Sequence, residues 1–389
     1  MNTTLKDGHN VFYVLYVLGF LFALSLALPI YINSTFLGEF LPEKYIGLVY
    51  AAGSFLTFIG LLFAPKVLER FGNFKTTAIL ALLEVTLMIT LAVSNSVFLI
   101  VPVFMIYSAL LSVMFLNFDV FLEHYSSDKK TGSIRGMFLT ITNVAFLISP
   151  IAAGFILINK DYWKIYLLAA FFMLMVFVLL AQHFKEFKDV KYDHVPFWNT
   201  LKEVYRRKSL FNIFIANMLL KFFFAWMVIY LPIDLNEYIG FAWDEIGLIL
   251  TIMLLPFVLF EIPAGKLADN RWGEKEFLII GFIVMGISTI GLVFLSEPIL
   301  WIWAIALFIT RIGASLVEIM TESYFFKHVD DSDAHILGFY RNTRPVAYII
   351  APILATIALT FIDFKFLFLI LGFIMFAGIR YSLALKDTK

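Results

Sequence analysis

Gly265-Lys266-Leu267-Ala268-Asp269-Asn270-Arg271-Trp272-Gly273-Glu274-Lys275 is a short charged segment between two long apolar runs. A tight connection between two helices needs a glycine that tolerates left-handed backbone. An acid placed beside the start of a helix meets the positive end of its dipole. A weaker copy stands earlier in the chain, Pro65-Lys66-Val67-Leu68-Glu69-Arg70-Phe71-Gly72-Asn73, and Arg70-Phe71-Gly72 aligns with Arg271-Trp272-Gly273. Nearly the same shift lays Leu28-Pro29-Ile30 on Leu231-Pro232-Ile233 and Ile46-Gly47 on Ile246-Gly247. It also lays Gly136 and Pro150 on Gly338 and Pro352. A match recurring at one offset marks an internal duplication.

Of 389 residues, 61% are hydrophobic and 15% charged, with a mean hydropathy of +0.90. Soluble domains carry about 25% charged residues, so that class is excluded. A hydrocarbon core about 30 Å thick takes roughly 20 apolar residues of helix. Twelve such runs are present: 11–33, 46–65, 76–94, 97–121, 136–159, 163–182, 210–233, 245–264, 276–295, 298–320, 336–361 and 365–384. The first exceeds the apolar region of about 7–15 residues found in a secretory signal, and no Ala-x-Ala site follows, so it is read as a retained helix. An even number of spans per repeat keeps both copies in one orientation, related by an axis along the membrane normal. The expected fold is an all-α membrane protein of twelve transmembrane helices in two parallel pseudo-symmetric six-helix halves. Residues 1–182 form the first bundle, 183–209 a cytoplasmic linker and 210–389 the second bundle.

Charge sets the orientation. With both termini and the even-to-odd connections in the cytoplasm, 23 of the 29 Lys and Arg residues lie on that side, in keeping with the positive-inside rule. Lys44, Lys160, Lys164 and Lys365 fall in the opposite loops, while Lys221 and Arg311 lie inside spans. The basic linker (Lys185, Lys188, Lys191, Lys202, Arg206, Arg207, Lys208) is read as a lipid-headgroup anchor. The protein is thus expected in a cell (inner or plasma) membrane with both termini cytoplasmic. Its 29 acids cancel its bases, which leaves no field to hold nucleic acid. Having no cysteine, it forms no disulfide, thiolate zinc site or cysteine nucleophile.

The loop at 265–275 resembles the Gly-x-Leu-Ala-Asp-Arg-x-Gly-Arg-Lys loop of the major facilitator superfamily of secondary transporters. It differs by one inserted residue and by Glu274 where a base is usual. In the copy at 65–73, Pro65 stands for the glycine, Glu69 for the aspartate and Asn73 for the second arginine, with Lys75 nearby to supply charge. The resemblance implies that an acid near the end of the fourth span, here Asp119, completes this charge network. Together with the repeat it implies a cytoplasmic latch, with Asp269 near Arg135 and Glu69 near Arg341 or Arg344, and with Arg70 and Arg271 in the same loops. Ala145-Phe146-Leu147-Ile148-Ser149-Pro150-Ile151-Ala152-Ala153-Gly154 resembles a small-residue form of the family's antiporter motif. Close helix packing is the competing explanation, supported by the similar Ala347-x-x-x-Ala351-Pro352.

An ionisable side chain at mid-bilayer costs at least about 2.5–3.5 kcal/mol, so each one is a candidate site residue. In the tenth span Arg311, Ser315, Glu318 and Glu322 follow at helical steps, with Ile312, Leu316 and Ile319 opposite. In the seventh, Asn217 and Lys221 form an i, i+4 stripe. The resemblance implies that spans one, four, seven and ten line a central cavity. Arg311, Lys221, Asn217 and Ser315 then face substrate from one half, and Tyr16, Tyr107 and Asn117 from the other. Glu318 is the candidate proton carrier, with Glu84 in the third span as its alternate. The competing explanation makes Arg311 and Glu318 a packing ion pair and the tyrosines interfacial anchors.

These readings point to a secondary active transporter that moves a small organic solute by rocker-switch alternating access. Proton coupling is expected, and so is an anionic substrate, because two bases inside the membrane share one nearby acid. Multidrug-type efflux of hydrophobic or cationic compounds is the alternative, and a non-transporting membrane enzyme or scaffold a second one. The six histidines stand in loops or at helix ends without ligand spacing. No Walker loop, nucleophile elbow or His-Glu-x-x-His helix is present. No enzyme activity, cofactor or metal is therefore expected. The expected partners are a small-molecule substrate, protons and membrane lipid, with the chain monomeric.

Overall fold

The computed structural model describes residues 8–125, 131–187, 197–268, 273–329, 336, 339–340 and 342–385. The first part of the chain gives α1 (Gly8–Ile30), α2 (Asn33–Gly38), α3 (Glu43–Phe71), α4 (Asn73–Val93), α5 (Val97–Tyr125), α6 (Thr131–Ile156) and α7 (Tyr162–His183). After these come α8 (Phe197–Arg206), α9 (Lys208–Ile233) with a π-helical turn (Asp234–Tyr238), α10 (Trp243–Leu267), α11 (Glu274–Leu292), α12 (Leu300–Lys327), α13 (Thr343–Ala358) and α14 (Phe366–Leu383). Among the described residues, 11 helices are long and apolar enough to cross a membrane. The run expected over 336–361 is described as the shorter α13, of 16 residues. Outward faces are apolar as well, with Phe98 90% exposed, Phe361 82% and Phe294 78%. Water would drive such a surface to associate, whereas lipid tails solvate it.

The chain divides into two compact units, Met1–Leu41 with Ala52–His194 and Pro42–Ala51 with Val195–Lys389. In the first, α1 packs on α5, α6 and α7, and α4 packs on α5 and α7. In the second, α9 packs on α12, α13 and α14, and α11 packs on α12 and α14. Each of these five pairings in one unit has its counterpart in the other, so the duplication read in the sequence is also a duplication of packing. Close approach within the second unit rests on small residues. A Cβ on Gly313 would meet the Gly281 carbonyl oxygen at 2.7 Å, and one on Gly281 would meet that of Gly313 at 2.9 Å.

The charged segment at 65–73 is largely helix, and the one at 265–275 begins and ends in helix. Pro65 to Phe71 complete α3, and Gly265 to Leu267 complete α10, because backbone hydrogen bonding continues after the apolar run has ended. One glycine in each copy takes positive φ just before the next helix, Gly72 at φ 81°, ψ 155° and Gly273 at φ 80°, ψ 166°. That region of backbone space is open to glycine almost alone, so the two equivalent turns rest on equivalent glycines. The 183–209 connection likewise contains a helix, α8. Thr200 and Val204 on it are buried while Tyr205 is 69% exposed.

Candidate substrate and coupling site

α9 is the most enclosed helix of the second unit, with 72% of its span buried against 35–50% for α10, α11, α12 and α14. Three of its residues, Lys221, Phe223 and Phe224, meet charged side chains of α12 in the interior. Lys221 Nζ donates to Glu318 Oε1 at 2.7 Å, with the two side chains 19% and 27% exposed. The same ammonium lies 5.3 Å from the Phe224 ring centroid. Arg311 of α12, 1% exposed, holds its guanidinium 4.9 Å from the Phe223 ring and 5.7 Å from Phe224. Each cation gains about 0.5–2 kcal/mol from a ring face, and Phe224 serves both.

The competing reading of the sequence pairs Glu318 with Arg311, but the 2.7 Å hydrogen bond belongs to Lys221. The polar stripe on α12 is graded, with Arg311 and Ser315 buried, Glu318 half-buried and Glu322 exposed. Sequence reasoning misses Glu261 of α10, which lies close enough to Glu318, Glu322 and Lys221 to interact with all three electrostatically. Its place near the end of the run 245–264 gives it the look of a headgroup residue. Two expected substrate ligands already bond to protein: Asn217 Nδ2 donates to Thr343 Oγ1 at 2.8 Å, and Ser315 Oγ donates to the Ile312 carbonyl at 3.0 Å.

In the first unit, Tyr107 is buried beside Asn33 and Glu84, while Tyr16 is half-buried on α1. Glu84 is 0% exposed, and neither carboxylate oxygen finds a hydrogen-bond partner among the described residues. Asn117 is fully buried, and its side-chain amide also lacks a partner there.

The latch residues separate into described and undescribed ones. Asp269, Arg271 and Arg341 lie outside the described residues, as does the side chain of Arg135. Glu69 and Arg70 stand exposed at the end of α3, with the Arg70 guanidinium 5.4 Å from the Phe71 ring, and Asp119 is half-buried on α5. Arg344 is exposed, 5.6 Å from the Tyr348 ring.

The buried anchors are the residues just after the two glycine turns. Asn73, 0% exposed, donates from Nδ2 to the Asn117 carbonyl of α5 at 3.0 Å. Its counterpart Glu274, 1% exposed, accepts from Ser323 Oγ at 3.1 Å and forms an ion pair with Lys327 Nζ, both on α12. Glu274 thus departs from the expected base because its partner on α12 is itself a base. An acid in the first turn of α11 also suits the positive end of that helix.

No curated protein matches this sequence closely enough to name a relative. A family model described as Major Facilitator Superfamily matches twice, over residues 13–233 and 213–388. The two matches together take in all the membrane-crossing helices, the paired glycine turns, and the charged α9–α12 interior of the second unit. The protein therefore belongs to the major facilitator superfamily of secondary transporters of small molecules, and is not an enzyme.

Proposed function

We propose that this transporter carries a small anionic organic solute together with protons by rocker-switch alternating access, and that the Lys221–Glu318 ion pair is the exchangeable element. The proposal takes residues 1–182 and 210–389 as the moving halves, with both termini cytoplasmic and the chain acting as a monomer. The observation that carries it is the 2.7 Å pair in the interior of the second unit, with Glu261 and Glu322 beside it and Arg311 fully buried nearby. A substrate carboxylate or phosphate competes with Glu318 for Lys221, gaining a charge-assisted hydrogen bond in a poorly screened place. Glu318, left without its ammonium among other carboxylates, then takes the proton that removes the like-charge repulsion. Anion and proton enter the occluded state together, and release of one returns Glu318 to Lys221.

Flux into proteoliposomes tests this. Glu318→Gln is expected to keep substrate binding and abolish pH-driven accumulation, and Lys221→Ala to weaken an anionic substrate about tenfold, roughly one charge-assisted bond. Unchanged proton-coupled uptake in Glu318→Gln moves the role to Glu84. Tighter binding of cationic or hydrophobic solutes in Lys221→Ala favours multidrug-type efflux.

A further inference from the structure

Beyond transport through the Lys221 cluster, we infer that the second unit holds a separate site for a small organic ammonium ion, at its end where α9 turns into α10. A cavity of about 310 Å³ lies there, lined among others by Asp234, Tyr238, Ser296, Asp363, Phe364 and Lys365. Ligand clefts begin at about 300 Å³, so it suits a ligand of one ring or a short chain.

Asp234 is 3% exposed, and among the described residues no hydrogen bond or ion pair reaches its carboxylate. It sits in the last turns of the α9 helical segment, where the dipole presents its negative end and an acid is disfavoured. A buried carboxylate in that position calls for a cation. The surroundings add negative charge, since Glu43, Asp234 and Glu237 all act electrostatically on Tyr238, and Tyr238 Oη donates to Glu43 Oε2 at 2.6 Å. Lys365 is the cation lining the cavity, but it is exposed and lies over its neighbour Phe366 at 5.2 Å.

Two further features shape the site. The helix slips into π-helical hydrogen bonding at Asp234, with Ile239 N–H donating to the Asp234 carbonyl at 2.9 Å. Such single π turns recur at functional sites. Tyr238 and Phe364 stack at 4.5 Å with an interplanar angle of 18°, and Tyr238 is 52% exposed. An aromatic face beside a buried carboxylate is the recognition chemistry of organic ammonium ions. Helical rise over the thirteen residues from Lys221 to Asp234 is about 20 Å, which keeps this site apart from the transport cluster.

Equilibrium binding to the full-length protein in lipid nanodiscs decides the matter, with benzylammonium, its neutral isostere benzyl alcohol, and sodium chloride as probes. Benzylammonium is expected to bind saturably and the other two not to compete. Asp234→Asn should weaken benzylammonium at least tenfold, and Tyr238→Ala, at a half-exposed position that tolerates truncation, at least threefold. Glu318→Gln should leave benzylammonium affinity within twofold, so failure of the transport proposal does not carry over. Absence of saturable binding, equal affinity in Asp234→Asn, equal affinity for benzyl alcohol, or full displacement by sodium would each overturn the inference.

Discussion

Lys327→Ala removes the ammonium that meets Glu274 and leaves a carboxylate whose side chain is 0% exposed. Breaking a buried ion pair from one side costs about 3–5 kcal/mol. Here the loss is reduced, because Lys327 is 41% exposed and water can enter its place. Ser323 Oγ still donates at 3.1 Å, and the α11 N-terminus contributes about 0.3–1 kcal/mol. The expected destabilisation is therefore about 1–3 kcal/mol. In a Glu274→Gln background no charge is left to compensate, so the same Lys327→Ala change should cost less than about 0.5 kcal/mol. Reversible denaturation in mixed micelles, run as a double-mutant cycle on these variants, measures both numbers. The reasoning is refuted if Lys327→Ala is as stable as the parent, or if its cost is the same with Gln at 274.

Gly72→Ala and Gly273→Ala should each cost about 1–3 kcal/mol in the same assay, because both place a Cβ on backbone that glycine almost alone adopts; an unchanged midpoint would show that the turns relax. Asn73→Ala should cost about 0.5–1.5 kcal/mol by removing the buried side-chain bond to the Asn117 carbonyl, which keeps its helical partner on α5, and unaltered stability would mean that water replaces the amide. Gly313→Ala is expected to lose about 1–3 kcal/mol by overpacking the α11–α12 contact, with Gly291→Ala, where a Cβ meets nothing within 4 Å, as the tolerant control. Glu84→Gln should leave stability equal or higher, since burying an unpaired carboxylate is costly, and a loss of stability would reveal a partner that favours the ionised form.

Much of this protein was determined by sequence alone, because the membrane imposes one-dimensional rules. A helix that crosses lipid must be apolar for about 20 residues, so the runs from 11–33 onward could be counted without knowing what packs on what. The duplication was legible for a similar reason, since Arg70-Phe71-Gly72 and Arg271-Trp272-Gly273 carry a backbone requirement that belongs to the turn itself. Hydropathy marks where lipid ends, not where a helix ends, and α3 and α10 run on through residues taken for loop. Which charges meet was decided only by tertiary structure. Lys221 and Glu318 are 97 residues apart, Glu274 and Lys327 are 53 apart, and Glu261 joins its cluster from a third helix. Apolar faces that look alike in sequence leave a helix free to rotate about its axis, and only the fit of glycine against glycine and ring against cation fixes that rotation and so chooses the partner of each charge.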